Sequence, residues 1–266
     1  MNFEDAHFLV RCLRYRWHTE RLPLKTLMLL DLAGATVIDI GANKGIYSFW
    51  LSRAVGPSGE VLAFEPQPEM IGYIKRRQQC FGLANVETIE TALSDCRGTA
   101  QLTRQRVGDG SASLCPERNR SGNELVKVSV AVLDDFDLSN LRFIKCDVEG
   151  RELGVFSGAR RLIEKFRPVV QFESVAADAG ALFAFFEGLG YLGTMYLDND
   201  YRPYATGWQL PHRKFGLGGH RDFLFFPESA IGSTIPLALY ERIKGSANAL
   251  ASTGCATSPM RTRPAG

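Results

Sequence analysis

The segment Val37-Ile38-Asp39-Ile40-Gly41-Ala42-Asn43-Lys44-Gly45 changes from an apolar run into a glycine-interrupted turn. The run predicts a buried β-strand, and the helical pattern after Gly45 predicts that the turn leads into a helix. Glycines at these two positions let the backbone approach a ligand closely. Glu65 ends the next apolar run, where an acid can bind ribose hydroxyls. The pattern therefore predicts a nucleotide-type α/β domain that binds an adenosine-containing cofactor.

Asn43 indicates which cofactor suits the loop. A dinucleotide-binding loop reads G-x-G-x-x-G, because its middle glycine lets the backbone contact a pyrophosphate and its third glycine packs helix against strand. Here Asn43 stands at the middle position, and side chains follow at Ile46, Tyr47 and Ser48. A cofactor without phosphates fits better, and we predict S-adenosylmethionine, with Asp39 placed to contact its ammonium group. A glycine turn kept only for packing is the alternative.

Composition limits the partners and the compartment. The chain of 266 residues, 45% of them hydrophobic, is long and apolar enough to bury a core. A net charge of +2 gives no strong attraction to nucleic acid or membranes. The six cysteines form no C-x-x-C pair, so neither a zinc site nor a disulfide framework is expected. The acidic start, Met1-Asn2-Phe3-Glu4-Asp5, is unlike a secretory signal, and the apolar stretch Leu27–Leu30 is too short to span a bilayer, so we expect a cytoplasmic protein.

Most of the chain alternates between strand-like and helix-like segments. Residues 1–34 predict a helical cap that Pro23 divides in two. The main domain is predicted over residues 35–230, where the alternation is typical of parallel strands joined by crossover helices. Two alternating runs within residues 99–132 predict an antiparallel hairpin or flap.

Four further predictions concern single segments. One strand is predicted from Val86 to Ala92, and one helix from Glu152 to Phe166. The run Asp222–Phe226 predicts an edge strand ahead of a proline. Residues 246–266 are rich in small residues, Ser, Thr, Pro and Arg, and we predict a disordered tail there.

A later segment resembles a known family. The stretch Phe143-Ile144-Lys145-Cys146-Asp147-Val148-Glu149-Gly150-Arg151-Glu152 is similar to the I-K-x-D-V-E-G-x-E signature of FkbM-type methyltransferases, and Val37–Gly45 resembles the V-I-D-x-G-A-N-x-G loop of that family. Four further segments are similar to the remaining blocks of that family, namely Phe64-Glu65-Pro66, Leu133-Asp134-Asp135, Phe156-Ser157-Gly158-Ala159 and Phe172-Glu173. The likeness runs from about Leu29 to Phe226, and the blocks in this order are far more specific than any one alone.

The resemblance implies a Rossmann-like class I methyltransferase that depends on S-adenosylmethionine. It implies a seven-stranded, mostly parallel sheet with an antiparallel last strand and helices on both faces. It also implies methylation of a hydroxyl on a sugar, a glycolipid or another secondary metabolite. A small-molecule or glycan acceptor is therefore the expected partner, and nucleic acid is not.

Strand ends locate the candidate cofactor site. In an open α/β sheet, ligands lie outside the carboxyl ends of the strands. Acids occur at or just past five predicted strand ends, at Asp39, Glu65, Asp95, Asp147 and Glu173. For cofactor binding we predict residues of the glycine loop and of the first three strand ends, namely Asp39, Gly41, Asn43, Gly45, Glu65, Ser94 and Asp95.

The candidate catalytic residues follow from the reaction. Methyl transfer to a hydroxyl requires in-line attack on the methyl group and loss of the hydroxyl proton, so a carboxylate within hydrogen-bond reach can act as the base. We predict Asp147 as the first candidate, with Glu149, Glu173 and His212 as further candidates. Asp147 and Glu173 could alternatively bind magnesium, but two carboxylates are too few to predict a metal site.

Three other functions stay open at this point. Arginines alternate with aromatic residues over positions 11–21, a pattern that can bind RNA and suggests an RNA methyltransferase. A helix with a solvated basic side explains the same arginines. A nicotinamide-dependent dehydrogenase is the second alternative, which Asn43 and the missing third glycine disfavour. The third is a cofactor-binding protein without catalysis.

Overall fold

A computed structural model of the chain describes residues 2–115, 122–197, 200–203 and 220–252. The strands within these ranges are β1 (Thr36–Ile40), β2 (Glu60–Phe64), β3 (Val86–Ile89), β4 (Ala92–Leu93), β5 (Gly98–Arg104), β6 (Glu124–Ala131), β7 (Leu141–Cys146), β8 (Val169–Val175), β9 (Tyr191–Leu197), β10 (Asp200–Pro203) and β11 (His220–Pro227). The α-helices are α1 (Phe3–Arg14), α2 (Arg21–Leu27), α3 (Ile46–Val55), α4 (Pro68–Phe81), α5 (Glu152–Ser157), α6 (Arg160–Phe166), α7 (Ala176–Gly188) and α8 (Leu237–Ser252). None of these helices is both long and apolar enough to cross a bilayer.

The central sheet has the strand order β10-β9-β11-β8-β7-β1-β2-β3. The strands from β8 to β3 in this order run parallel, and β11 runs antiparallel to both of its neighbours. This confirms the Rossmann-like class I architecture. The sheet has eight strands where seven were predicted, because β10 turns back antiparallel onto β9. The prediction that Asp222–Phe226 forms an edge strand is wrong, since β11 lies between β8 and β9 with Phe223 to Phe226 buried.

Two apolar layers cover opposite faces of the sheet. One layer contains residues of α1, α2, α3, α4 and α8, and the other contains residues of α5, α6 and α7. Alternation along β1 sends Val37 into the first layer and Ile38 and Ile40 into the second. Asp39 lies on the same face as Val37, where it contacts α3. Burial on both faces explains why the strands of the sheet are nearly continuous apolar runs.

The segment predicted as a flap forms a second sheet with the order β4-β6-β5, in which β5 and β6 pair antiparallel. The single strand predicted over Val86–Ala92 is wrong, since β3 ends at Ile89 and the chain leaves the central sheet before β4. A small apolar cluster around Leu102 and Val128 stabilises this flap. Leu102 also faces the carboxyl ends of the central strands, so the flap covers them.

Three boundaries differ from the predictions. The break in the N-terminal cap follows a π-helical turn, Tyr15–Thr19, and Pro23 lies inside the first turn of α2, where its missing N–H is tolerated. The predicted single helix over Glu152–Phe166 is divided at Gly158, where a Cβ would lie 2.1 Å from the carbonyl oxygen of Ser94. The tail does not begin at residue 246 as predicted, because α8 continues to residue 252. Residues 253–266 lie outside the described part of the chain.

Candidate active site

The loop between β1 and α3 lies against the carboxyl end of β7. Gly41 has a φ of +79°, and a Cβ placed on it would lie 1.9 Å from the carbonyl oxygen of Asp147. Only glycine fits this contact. Asn43 also has a left-handed backbone, with a φ of +47°, and Gly45 precedes the first residue of α3. The predicted loop residues therefore form one tight turn beside Asp147.

Glu65 is oriented at the end of β2 by two backbone donors. The N–H of Asn43 donates to Oε2 at 2.8 Å, and the N–H of Gln67 donates to Oε1 at 2.9 Å. Glu65 is 3% exposed, and burial raises its pKa to about 7 although these hydrogen bonds act to lower it. A carboxylate oxygen can accept more than one hydrogen bond, so Glu65 can still accept ligand hydroxyls.

A cleft opens beside Glu65, and we call it the sheet-edge cleft. It encloses about 530 Å³, part of it open to solvent. Asn43, Glu65 and Asp147 contribute polar groups to its lining. Its apolar walls come from strand ends and from the flap, and they include Ile40, Phe64, Leu93, Leu102, Leu114 and Val148. A flat apolar ring can be enclosed between such walls.

Ser94 and Asp95 are not brought into this cleft. Asp95 is exposed, and the Oγ of Ser94 lies 3.2 Å from its carboxylate. The cleft is lined instead by the residues just before them, Thr91, Ala92 and Leu93. Ser94 and Asp95 lie outside the cleft because the chain leaves the central sheet after Ile89.

A second cleft, the cap cleft, adjoins the first and encloses about 870 Å³, part of it open to solvent. Arg11, Tyr15 and Glu20 of the N-terminal cap form one of its sides. The other sides come from the β1–α3 loop, the flap and the strand ends, and they include Asp39, Lys44, Tyr47, Arg106, Gly108 and Glu173. Asn43 and Asp147 line both clefts, so the clefts meet at these two residues.

Polar side chains cross the sheet beneath the cap cleft. Asp39, Lys145 and Gln171 are neighbours in register on β1, β7 and β8. Asp39 accepts a hydrogen bond from the Oγ of Ser48 at 2.5 Å. Lys145 is 2% exposed, and its Nζ lies 3.7 Å from Oδ1 of Asp222 on β11. The sequence analysis gave no role to Lys145, although it belongs to the family signature.

Glu20 connects the cap to these polar residues. The hydroxyl of Tyr47 donates to Glu20 and accepts a hydrogen bond from Nε2 of Gln171 at 2.9 Å. Burial and the charge of Asp222 raise the pKa of Glu20, whereas Lys145 lowers it. The sequence analysis missed Glu20, because no local pattern indicates that a residue of the cap reaches the strand ends.

Glu173 and Asp39, two carboxyl groups near Lys145, hold protons more tightly than isolated carboxyls do. Burial raises the pKa of Glu173, and the charges of Asp147 and Asp222 raise it further, whereas Lys145 lowers it. Burial also raises the pKa of Asp39 to about 6, against the hydrogen bond from Ser48. Because several acids surround one buried lysine, they do not all carry charge near neutral pH.

Asp147 and Glu149 are separated by the turn that follows β7. The N–H of Asp147 donates to the carbonyl of Ile40 at 3.0 Å, which fixes this residue where the clefts meet. Glu149 has a φ of +57°, its carbonyl accepts a hydrogen bond from the Oγ of Ser113 at 2.7 Å, and it lines neither cleft. The structure therefore brings Asp147 and Glu173 to one cleft and leaves Glu149 in the turn.

Three further hypotheses from the sequence concern His212, a metal site and the basic segment 11–21. His212 lies outside the described residues. In the described part of the chain, no group of three or more His, Cys, Asp or Glu side chains is arranged to hold a metal ion. In the basic segment 11–21, the guanidinium of Arg16 lies over the rings of Trp17 and Trp50 and donates to the carbonyl of Leu24 at 3.0 Å. That arginine therefore stabilises the cap itself.

The two clefts suit S-adenosylmethionine better than a dinucleotide. Apolar walls beside Glu65 suit an adenosine, and Asp39 in the adjoining cleft suits an ammonium group. Glu65 and Asp147 would repel a pyrophosphate placed in the sheet-edge cleft. A parallel sheet with an antiparallel strand inserted between β8 and β9 is the architecture of class I S-adenosylmethionine-dependent methyltransferases, and this pair of clefts lies at its carboxyl ends.

The chain belongs to the FkbM methyltransferase family. The model described as "Methyltransferase FkbM domain" matches residues 39–192, which is more than half of the chain. This match confirms the resemblance found in the sequence motifs. It also excludes the dehydrogenase alternative, since the matched domain is a methyltransferase.

Several solved structures of methyltransferases are similar to this chain. The methyltransferase FkbM from Methylobacillus flagellatus has a TM-score of 0.50 and 16% identity, covering 74% of this chain and 45% of that one. This chain thus spans less than half the length of that protein. An rRNA methylase from Streptococcus thermophilus (TM-score 0.46, 13% identity, 77% of this chain and 93% of that one) is also similar. So is an S-adenosylmethionine-dependent O-methyltransferase from Thermotoga maritima (TM-score 0.43, 14% identity, 76% and 63%). No curated protein sequence matches the chain.

Proposed function

We propose that the protein methylates a hydroxyl group of a small molecule or glycan, such as a sugar, a glycolipid or another secondary metabolite, and that Asp147 accepts the hydroxyl proton. The observation that carries this proposal is the position of Asp147, which lines both clefts. A carboxylate at this junction lies between a methyl donor in the sheet-edge cleft and an acceptor in the cap cleft.

The sheet-edge cleft and the neighbouring Asp39 of the cap cleft provide the contacts that a methyl donor needs. Glu65 would accept hydrogen bonds from the ribose hydroxyls, and the apolar walls would enclose the adenine. Asp39 would balance the ammonium group of the amino acid portion. S-adenosylmethionine supplies an electrophilic methyl group when it is bound. Leu102 and Leu114 of the flap cover this cleft, which would keep water from the reacting atoms.

The protein itself contributes alignment and proton removal. Holding donor and acceptor in line can supply on the order of 7 kcal/mol of the barrier, and a general base adds about 10² to 10⁴-fold. Asp147 and Glu173 have different roles in proton removal. Burial raises the pKa of Glu173, and the charge of Asp147 raises it further, so Glu173 keeps its proton near neutral pH. We therefore assign Asp147 as the base. Glu173 is assigned as the group that donates a hydrogen bond to the acceptor oxygen.

The variant Asp147→Asn separates donor binding from chemistry. We expect it to bind S-adenosylhomocysteine as the wild type does and to lose about 10² to 10⁴-fold in turnover, because an amide cannot accept the proton. Binding is measured by calorimetry. Turnover is measured by mass spectrometry of a metabolite extract incubated with enzyme and S-adenosylmethionine, as a gain of about 14 Da on a product.

The control for this experiment is Asp137→Asn, which removes an exposed aspartate that lines neither cleft. It should leave both binding and turnover at wild-type values. An Asp147→Asn enzyme with full turnover would show that Asp147 is not the base. A methylated product in which nitrogen or carbon carries the new group would show that the acceptor class is wrong.

A further inference from the structure

The cap cleft is lined by side chains of both charge signs. Its cations come from the cap, the β1–α3 loop and the flap, where Arg106 is exposed and the other two are half-buried; they are Arg11, Lys44 and Arg106. Its carboxyls come from the strand ends and the cap; they are Asp39, Asp147, Glu173 and Glu20. A ligand that fills this cleft therefore contacts both groups.

The three cations are close enough to affect one another. Burial lowers the pKa of Lys44, and the charges of Arg11 and Arg106 lower it further. None of the three forms an ion pair with a residue in the described ranges. Asp109 acts in the opposite direction on Lys44, but its carboxylate already accepts hydrogen bonds within its own turn, including one from the Oγ of Ser111 at 2.9 Å. The cluster therefore favours binding of an additional anion.

The flap leaves space for a ligand beside these cations. Gly108 and Gly110 line the cap cleft where a side chain would narrow it. A Cβ on Gly108 would lie 3.0 Å from Cε of Met70 and 3.6 Å from Cε of Lys44. At position 108 the absence of a side chain lets the flap pack against Met70 and Lys44, and at position 110 it leaves this part of the cleft wall to the backbone alone.

We propose that the methyl acceptor is an acidic hydroxy compound whose phosphate or carboxylate group is bound by Arg11, Lys44 and Arg106 while its hydroxyl lies at Asp147. This inference rests on the proposed function and specifies its substrate class. The carboxylate of the methyl donor is a single charge, so it cannot neutralise three cations. An anionic group on the acceptor would form charge-assisted hydrogen bonds with these side chains, which a neutral acceptor lacks.

The test uses protein saturated with S-adenosylhomocysteine, so that the contacts of the donor carboxylate are already made. Inorganic phosphate, acetate and glycerol are then titrated separately, with binding followed by calorimetry or ligand-observed NMR. We expect the anions to bind and glycerol not to bind. Stronger binding of phosphate would indicate a phosphorylated acceptor, and stronger binding of acetate would indicate a hydroxy acid.

A pair of double variants locates the anion. Lys44→Gln/Arg106→Gln should raise the dissociation constant of the bound anion at least about tenfold, because two charges in the cleft are lost. The matched control Lys25→Gln/Lys75→Gln removes two exposed lysines outside the cleft. It should change the dissociation constant of the anion by less than about twofold. Both double variants should bind S-adenosylhomocysteine, which shows that they are folded.

Several outcomes would overturn the inference. If S-adenosylhomocysteine binds but neither anion does, or if both double variants weaken anion binding equally, the acceptor is not held by these cations, and the proposed function stands. If S-adenosylhomocysteine itself does not bind, the proposed function fails instead. Steeply salt-dependent binding of single-stranded RNA that is lost in Lys44→Gln/Arg106→Gln would assign the cations to nucleic acid and would also overturn it.

Discussion

Single side chains at the strand ends are positioned mainly by backbone contacts. Glu65 is oriented by the N–H groups of Asn43 and Gln67, and Asp147 is fixed between Ile40 and Gly41. These contacts hold the carboxylates before any ligand binds, which is what a site needs if alignment supplies much of the rate. A change in the loop backbone should therefore disturb the site even where no functional side chain is altered.

Gly41→Ala should destabilise the protein more than Gly82→Ala. Both glycines have a positive φ, +79° and +64°, which costs an alanine about 1–2 kcal/mol. A Cβ on Gly82 meets nothing within 4 Å, whereas one on Gly41 would meet the carbonyl oxygen of Asp147 at 1.9 Å. Overpacking of this kind typically adds about 1–3 kcal/mol. Urea denaturation measures the difference, and equal losses would show that the close contact is not important.

The predicted site residues that the structure brings together belong to local motifs. Gly41, Asn43 and Glu65 follow from a strand, a turn and a strand end, all within one short segment. Ser94 lies outside the sheet-edge cleft, and no local pattern shows that the chain leaves the central sheet ahead of it. Glu20 was missed because its contact with Tyr47 depends on how the cap packs in three dimensions.

Among the helices, α1 acts as part of the domain rather than as an accessory. Phe8 is 1% exposed and its ring contacts Phe49, Tyr73 and Phe81 of α3 and α4. The same helix carries Arg11 and leads to Tyr15 and Glu20 in the cap cleft. Packing of this one helix therefore couples the stability of the fold to the shape of the site.

Phe8→Ala should lower the free energy of unfolding by about 3–5 kcal/mol, the usual loss when a buried phenylalanine is truncated. Phe3→Ala on the same helix is the control, since Phe3 is 87% exposed, and it should change the stability by no more than about 0.5 kcal/mol. Chemical denaturation of both variants gives the comparison. A Phe8→Ala protein as stable as the wild type would mean that α1 does not pack on the domain.

The sequence of β11 contains a signal for a central strand, although it was predicted to be an edge strand. Phe223 to Phe226 form an unbroken apolar run, which is typical of a strand buried on both faces. The proline after the run favoured an edge strand. The order of strands in the sheet is a non-local property, so the run alone could not show that β11 inserts between β8 and β9.

The main feature of the whole protein is a group of acidic residues at the carboxyl ends of the buried central strands. Burial raises the pKa of Glu65 to about 7 and that of Asp39 to about 6. Each of these groups is expected to bind the donor in its ionised form, Glu65 through ribose hydroxyls and Asp39 through the ammonium group. Protons and ligand therefore compete for the same carboxylates.

The affinity for S-adenosylhomocysteine should accordingly fall as the pH is lowered from 8 to 5.5. Near pH 8 both carboxyls are largely ionised and binding is strongest, and each group that becomes protonated can cost up to about tenfold per pH unit below its pKa. Calorimetry at several pH values measures the profile, and Glu65→Gln should make it shallower. Affinity that increased toward acid pH would contradict the assigned contacts.

The central claim is that the cleft beside Glu65 binds the methyl donor. Calorimetric titration of S-adenosylhomocysteine into wild type, Glu65→Gln and Glu60→Gln tests it most directly, since Glu60 is an exposed glutamate on the same strand. We predict that Glu65→Gln weakens binding about 10- to 100-fold, as expected for lost hydrogen bonds to a charged group, and that Glu60→Gln leaves it unchanged. Wild-type protein that bound a nicotinamide dinucleotide but not S-adenosylhomocysteine, or full affinity in Glu65→Gln, would contradict the claim.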